Sequence, residues 1–500
     1  MNTYAPFMNS LKINLLLLVT AFTFIMVFQG SRGLWERDEG RYTDVAVEML
    51  HKKDFIVPLL NDDISHFSKP PLTYWAIAAG IVLLGKNEWG VRLANGVAFA
   101  FTVFLIFLMA KKIYPENQLA PPLIYATSIF PFTAANFVTT DTLLTLWETL
   151  AVYGFVRCYH ERTDQKDPWG IIIMWVGFGL AFLTKGPPGL LPLFAIIAFL
   201  LLSGEKDNFI KIFNPIGLMF FLVMGFSWYV VVILKNHDLI HYFIINEFIK
   251  RIATGTHHRN PEWYKPFIIY LPILVFGTLP WTYVFFKNIE LSKYKLFRIS
   301  WWKEYIKKEP WQCFLMLWII IPLSIFFVAK SRLPLYILPL FVPISLFYAM
   351  LISLDLSSKK IKTYIIIWII FLFTIKFIMA KIPYKMDSRT MAKYIKSTNK
   401  PLPKEVVFVD SVPFWGLSLY LDCEVEELTT NKDKADKKSE EYIIKELKEK
   451  ENGVLYAVEK KKLNSVLLLF KKNHVELRKI GEYNFWVFFS PSVIQSKDHI

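Results

Sequence analysis

The chain has little cysteine, and what it has is scattered: Cys158, Cys313 and Cys423 are its only three in 500 residues, with no C-x-x-C pair. Neither a disulfide framework nor a cysteine metal site is expected from that pattern. Acidic residues are outnumbered, 42 against 57 lysines and arginines, for a formal net charge of +15. The basic residues sit in short connections between apolar runs and form no stripe with interleaved aromatics, so nucleic acid is excluded as a partner and lipid headgroups are favoured. Internal repeats and paired broken apolar segments are missing too, which argues against a transporter or a lipid or sugar carrier without chemistry. The last quarter lacks any apolar run long enough to span a bilayer, and it has no glycine-rich phosphate loop and no metal-spaced cluster.

What the chain has in excess is apolar and aromatic side chains, 54% hydrophobic and 17% aromatic, with a mean hydropathy of +0.36. That is the composition of a polytopic membrane protein. Stretches of roughly 20 apolar residues, the length a hydrocarbon core of about 30 Å requires, recur near 11 to 29, 89 to 110, 119 to 136, 141 to 158, 169 to 184, 187 to 203, 211 to 234, 266 to 286, 311 to 329, 333 to 352 and 363 to 380. The first reads as an anchor and not as a cleaved signal. Residues 72 to 85 form a shorter run, read as interfacial or re-entrant.

With the N-terminus inside, every second connection is basic: Lys111 and Lys112, then Arg157, Arg162 and Lys166, then Lys206 and Lys211, then Lys287 to Lys308, then Lys359, Lys360 and Lys362. The positive-inside rule places those on the cytoplasmic side. Two long outer loops remain, 30 to 88 and 235 to 265, and chemistry is expected there. The expected organisation is an all-α polytopic domain over 1 to 384, with about 11 to 13 transmembrane helices, and a small α/β domain over 385 to 500 on the outer side. Within that domain 404 to 410, 453 to 458 and 483 to 489 read as strands, and 437 to 450 and 459 to 470 as helices.

The first outer loop opens with WERDEGRYTDVAVEML, Trp35 to Leu50. Helical spacing from Asp38 puts Asp38, Arg41, Tyr42, Val45, Glu48 and Met49 along one side of a surface helix. Asp38 reads either as its N-cap, with Glu39 a first-turn partner of the helix dipole, or as a carboxylate facing a lipid-borne substrate. Further on, Lys69 stands before Pro70 and Pro71, which fix the backbone and hold the ammonium near headgroup depth. Asp141 opens an apolar helix, either as an N-cap or as a partner of a substrate hydroxyl.

These segments, D-E-x-R-Y with a following E-M-L, then D-F-I-V-P, then K-P-P-L-x-Y-W, together resemble the bacterial lipid A aminoarabinose transferases. Those are GT-C glycosyltransferases that depend on polyprenyl phosphate and are related to the protein O-mannosyltransferases. The resemblance continues through TTDTLL at Asp141, T-K-G at Thr184 to Gly186, NEFIKRIA at Asn246 to Ala253, PEWY at Pro261 to Tyr264 and AKSRLPLYILP at Ala329 to Pro339. It implies Asp38 as the catalytic aspartate, Asp141 as a further functional aspartate, and Lys69 as a contact of the lipid-linked phosphate. Around them Glu39, Arg41, Tyr42, Lys185, Glu247, Arg251, His258, Lys330, Arg332 and Tyr336 are expected to bind substrate or phosphate. Lys69, Lys185, Arg251, Lys330 and Arg332 all fall on the outer side, where a phosphate dianion would need cations. His258 reads as a hydrogen-bond donor to phosphate or sugar, not as a metal ligand.

The implied activity is inverting transfer of an amino sugar from undecaprenyl phosphate to lipid A at the periplasmic face of the inner membrane. A protein or glycan mannosyltransferase is the alternative within the same superfamily. The resemblance fails at two positions. Where the family carries a glutamate and a histidine associated with zinc, this chain has Ser68 and Phe248, so no cofactor and no metal is expected.

Alternation of basic loops predicts that residues 385 to 500 lie on the side of the membrane opposite the N-terminus. Reporters active only in the periplasm or only in the cytoplasm, fused after Lys385, should give a periplasmic signal; a cytoplasmic signal would overturn the topology.

Overall fold

A computed structural model describes residues 5–60, 64–160, 168–249, 259–288, 298–352, 354–428, 453–472 and 475–491. In chain order the helices are α1 (Ala5–Met26), α2 (Asp38–Lys52), α3 (Leu72–Leu84), α4 (Glu88–Ile113), α5 (Ala120–Thr127), α6 (Ile129–Ala134), α7 (Thr140–His160), α8 (Pro168–Lys185), α9 (Leu191–Ser203), α10 (Lys206–Ile212) and α11 (Pro215–Lys235). After a π-helical stretch, Tyr242–Ile249, come α12 (Lys265–Phe276), α13 (Trp281–Asn288), α14 (Ile299–Lys308), α15 (Pro310–Val328), α16 (Phe341–Leu351), α17 (Lys359–Lys381), α18 (Ser388–Thr398), α19 (Leu417–Leu421) and α20 (Leu463–Lys472). Each expected span coincides with helix. Among the described residues five helices are long and apolar enough to cross a bilayer, and six if the bent pair α12 and α13 is one span.

The chain packs as two compact units, each drawn from separate stretches. The first comprises Met1–Gln29, Phe67–Thr73 and Arg92–Phe377, and the second Gly30–His66, Tyr74–Val91 and Ile378–Ile500.

In the first unit two of the expected spans are broken, and the breaks answer each other. Pro131 has no N–H to offer the carbonyl of Thr127, and the chain turns extended at Ser128 between α5 and α6. The freed Thr127 carbonyl accepts the indole N–H of Trp368 at 2.8 Å. Its hydroxyl accepts the indole N–H of Trp281 at 2.9 Å. The second break, at Gly277 to Pro280, bends α12 against α13 by 90°. There the Phe130 N–H donates to the Gly277 carbonyl at 3.0 Å and the Ile129 N–H to the Leu279 carbonyl at 3.3 Å. Irregular backbone among apolar helices is tolerable only when its polar groups are paired in this way.

Helices α7 and α8 form the closest pair of the unit. A Cβ on Gly177 of α8 would meet the Ala151 backbone of α7 at 2.5 Å, so the small residue sets the approach. Because the two run antiparallel, the start of α7 and the end of α8 come to the same end of the pair.

The second unit carries a five-stranded sheet in the order β4-β3-β5-β7-β6. Its strands are β3 (Glu405–Val409), β4 (Glu424–Leu428), β5 (Val454–Glu459), β6 (Leu477–Tyr483) and β7 (Trp486–Pro491), besides a two-stranded hairpin of β1 (Leu59–Leu60) and β2 (Ile64–Ser65). β3 pairs in parallel with β4 and β5, while β7 pairs antiparallel with β5 and β6. Alternation sends Val406, Phe408, Leu455, Ala457, Trp486 and Phe488 to one face, with Met391 and Ile395 of α18 and Leu417 and Leu421 of α19. Val407, Val409, Tyr456, Val458, Val487 and Phe489 go to the other, against Val466 and Phe470 of α20. The strands expected near 404, 453 and 483 are present. β4, β6 and α18 had not been anticipated, and the helix expected over 437 to 450 lies outside the described residues.

The start of the first outer loop is laced to the C-terminal chain within this unit. The Glu36 N–H donates to the Met386 carbonyl at 2.9 Å and the Ser388 N–H to the Leu34 carbonyl at 3.0 Å. The buried Glu36 carboxyl accepts the Ser388 hydroxyl and, at 2.8 Å, the Gly416 N–H. Burial, reinforced by the charges of Asp44 and Glu39, pushes Glu36 up to about 8 against two hydrogen bonds that pull it down.

A folded-state pKa above the unfolded one means that the native chain holds a proton the unfolded chain has released. The contribution of Glu36 is therefore full below about pH 4.5 and is lost as pH rises to about 8. Thermal unfolding followed from pH 5 to 9 should show wild type losing stability relative to Glu36→Gln, whose amide oxygen still accepts both bonds. Parallel curves for the two proteins would show that Glu36 is ionised throughout.

Candidate functional site

In the first unit, Asp141 lies in the first turn of α7 and Lys185 is the last residue of α8, and the antiparallel pair brings them into a salt bridge. Both side chains are buried, 8% and 6% exposed. Asp141 is not the cap that its position suggested: the helix begins at Thr140, and the Asp141 N–H is answered at 3.4 Å by the Thr139 hydroxyl. Its carboxylate is thereby left for the lysine. The Lys185 ammonium also stands 4.2 Å from the ring centroid of Tyr336. The Tyr336 hydroxyl accepts from Arg259 at 3.3 Å.

Lys69 belongs to this unit and is 7% exposed. Its ammonium donates to the Ser68 carbonyl at 3.0 Å, and Phe67 anchors the segment against Trp228 of α11 and Phe243. Arg332 is buried and holds backbone. Its guanidinium donates to the carbonyls of Asn260, Glu262 and Phe327 at 2.9, 2.9 and 3.0 Å, so it pins the PEWY loop to the end of α15. Lys330 in the same turn is exposed. The backbone of Glu247 lies in the π-helical stretch, while its side chain, and all of Arg251 and His258, lie outside the described residues.

In the second unit α2 begins at Asp38, with Arg37 before it and no side-chain cap. Asp38 is therefore not an N-cap. It is a half-exposed carboxylate, 56% accessible, paired with Arg41 one turn on at 2.7 Å. Glu39 is turned inward: its Oε2 accepts from Arg32 at 2.6 Å and from the Trp35 N–H at 2.9 Å, an arrangement that fixes the helix start. Tyr42 is buried, its ring 5.8 Å from that of Tyr74.

Missed by sequence reasoning was Glu148, two turns beyond Asp141 on α7 and buried at 3% exposure. The charges acting on it are those of Lys185 and Asp141. An acidic residue at i+7 from Asp141 in an otherwise apolar helix was the available signal. Among the described residues no group of three or more His, Cys, Asp or Glu side chains is arranged to hold a metal ion. Ser68 and Phe248 offer at most one neutral hydroxyl between them, a donor set that does not fit zinc.

A family model for dolichyl-phosphate-mannose-protein mannosyltransferases matches residues 68–232. Over 352 residues the chain is 31% identical to the undecaprenyl phosphate-α-4-amino-4-deoxy-L-arabinose arabinosyl transferase of Pectobacterium atrosepticum, covering 69% of this chain and 60% of that protein. With the enzyme of the same name from Yersinia pestis (strain Pestoides F) the identity is 30% over 336 residues, 66% of this chain and 58% of the relative. The chain thus spans about 60% of the length of the curated relatives it matches. Among solved structures, ArnT from Cupriavidus metallidurans bound to undecaprenyl phosphate superposes with a TM-score of 0.72 at 16% identity, over 95% of this chain and 97% of that one. The oligosaccharyltransferase of Archaeoglobus fulgidus in the apo form gives 0.51 at 12% identity, over 90% of this chain and 70% of the other.

The buried pair makes an asymmetric prediction. Removing one partner of a buried ion pair costs about 3–5 kcal/mol. Asp141→Asn still leaves Lys185, whose charge also acts on Glu148, whereas Lys185→Met leaves two buried carboxylates without that cation. Thermal unfolding in detergent should fall further for Lys185→Met, and the double variant should recover part of that loss. Equal losses in the two single variants would show that Glu148 does not share the lysine.

Proposed function

We propose, from the premise that this chain has the GT-C fold and is a relative of the undecaprenyl phosphate aminoarabinose transferases, that it is an inverting glycosyltransferase using a polyprenyl-phosphate sugar donor. The donor is an amino sugar on undecaprenyl phosphate, the acceptor is lipid A, and transfer takes place at the periplasmic face of the bacterial inner membrane. About eleven spans carry the chain across, with residues 385 to 500 outside.

The observation that carries this reading is that an apolar helical unit buries the ammonium groups of Lys69 and Lys185. As the bond to the sugar breaks, negative charge builds on the bridging oxygen of a phosphate that departs as a dianion. Cations already held in a low-dielectric surrounding stabilise that charge without reorganising. The Lys69 ammonium donates to a backbone carbonyl within its own turn, a bond that a phosphate oxygen can replace with a stronger, charge-assisted one.

Asp38, half-exposed and paired to Arg41, is the carboxylate of the acceptor side. A lipid A phosphate is ionised near neutral pH and attacks with little help from a base, so towards that acceptor Asp38 orients; towards a hydroxyl acceptor it removes the proton. The match of residues 68–232 to a protein mannosyltransferase model supports the second reading, transfer of mannose to a protein or glycan hydroxyl.

Asp38→Asn should lower turnover by about a hundredfold, the cost of a misplaced acceptor, in a purified assay with undecaprenyl phosphate-linked amino sugar and lipid A. An exposed pair with Arg41 is worth only about 0–1 kcal/mol, so the unfolding temperature should barely move. Near-normal turnover would remove Asp38 from the reaction, and product found only with a hydroxyl acceptor would favour the mannosyltransferase reading.

A further inference from the structure

Asp38 is held by very little of its own. Among the described residues its carboxylate meets Arg41 alone, one turn along the same helix, so it stands wherever the first turn of α2 puts it. That turn starts without a side-chain cap. What fixes it comes from the C-terminal part of the same unit. The Leu34 N–H donates to the Tyr420 hydroxyl at 3.1 Å, Trp35 and Asp387 form an antiparallel bridge, and the rings of Trp35 and Tyr384 lie 4.5 Å apart.

Glu36 closes the arrangement. It lies two residues before Asp38 and is 8% exposed. One carboxyl oxygen accepts from both the Ser388 hydroxyl and the Gly416 N–H. The other has no hydrogen-bond partner and lies against Gly40 in the first turn of α2, where an added Cβ would collide with the carboxyl. Gly416 is tight on the opposite side, since a Cβ there would come to 3.0 Å from the bonded oxygen and 2.9 Å from the Ser388 hydroxyl. The carboxyl is thus wedged between the helix start and the C-terminal chain, and glycines on both sides make room for it.

No cation answers this carboxyl. The charged side chains acting on it from α2, Asp44 and Glu39, are both negative. Asp387 and Arg389 flank Ser388 on the C-terminal chain, but Arg389 pairs with Glu88 at 3.3 Å, and Arg32 pairs with Glu39 at 2.6 Å. Burial without a counter-charge keeps the proton on Glu36 up to about pH 8. Ionisation puts a charge where nothing offsets it, and the first turn of α2 loses its anchor.

We propose that Glu36 is a positioning residue for sugar transfer: it ties the first turn of α2 to Ser388 and Gly416, and through that tie residues 384 to 420 set where Asp38 stands. This rests on the role given to Asp38 above. Glu36 acts through Asp38 and not on the reacting atoms.

The test uses the full-length protein and measures kcat, KM for the undecaprenyl phosphate-linked donor, and hydrogen exchange over residues 37 to 42. Glu36→Ala should lower kcat between about tenfold and a hundredfold, the cost of a misplaced group, leave the donor KM unchanged and speed exchange. Glu36→Gln, whose amide oxygen accepts both bonds, should keep kcat near wild type at neutral pH. As pH rises through about 8, wild-type turnover should fall relative to Glu36→Gln, because only wild type has a proton there to lose. Gly40→Ala by itself favours a helix, yet it should lower kcat because the new Cβ displaces the carboxyl, and it should cost nothing further in Glu36→Ala. In Asp38→Asn, Glu36→Ala should add little, since its effect passes through the residue already lost.

Coincident pH profiles for wild type and Glu36→Gln, additive losses in the Asp38→Asn background, or unaltered exchange in Glu36→Ala each overturn the proposal. If Glu36→Ala does not fold, Gly40→Ala and the pH profile of Glu36→Gln decide. Normal turnover in Asp38→Asn removes the role of Asp38 and the proposal with it, whereas impaired Asp38→Asn with coincident profiles removes the proposal alone. If wild type transfers no sugar, the glycosyltransferase reading falls, and exchange decides whether Glu36 sets the helix start.

Discussion

An ammonium group placed between apolar helices has to find a partner there, and for Lys185 that partner is the counter-charge of Asp141. Neither residue is close to the other in sequence. They meet because α7 and α8 run antiparallel and approach to the distance that Gly177 permits. A side chain at that glycine would meet the Ala151 backbone and press the helices apart. Packing of small residues and placement of charge are therefore one constraint, read at the middle and at the end of the same helix pair.

The same economy governs the backbone. Two interrupted helices in one apolar unit would each leave carbonyls and N–H groups unpaired if they stood alone. Here the interruption at Ser128 lies against the interruption at Gly277 to Pro280, so the two exchange hydrogen bonds, and the indoles of Trp281 and Trp368 take up the acceptors on Thr127. A break that is costly singly becomes tolerable in register with a second.

Hydropathy made the helical segments legible because a bilayer demands about 20 apolar residues at a time, and period-two alternation made β3, β5 and β7 legible for the analogous reason in a sheet. β6 was hidden because LRKIGEY, an edge strand only half-buried, is largely polar and lacks period-two alternation. The breaks in the helices were hidden too, since Pro131 and Pro280 sit inside apolar runs that score as continuous. The resemblance singled out Asp38, Asp141, Lys69 and Lys185, but not the local setting of each. The two aspartates looked like helix caps, because a cap and a first-turn residue differ by one position, and that position is set by where the preceding chain turns. Glu148 was passed over as one acidic residue in an apolar helix without a motif around it.

Two cations from one short motif illustrate why a resemblance in sequence fixes type but not task. Lys330 and Arg332 are two residues apart in AKSRLP. The planar fork of Arg332 reaches three carbonyls at once, which a lysine's compact ammonium could not span, so it is drawn into holding the loop from Asn260 to Glu262. Lys330 remains at the surface. Asp38 and Asp141 divide in the same manner. Asp141 is buried and bound to a lysine whose loss it would feel strongly, whereas the exposed pair of Asp38 with Arg41 is weak enough to be exchanged for a substrate contact at little cost. An exposed pair exchanges partners at little cost, and a buried one does not.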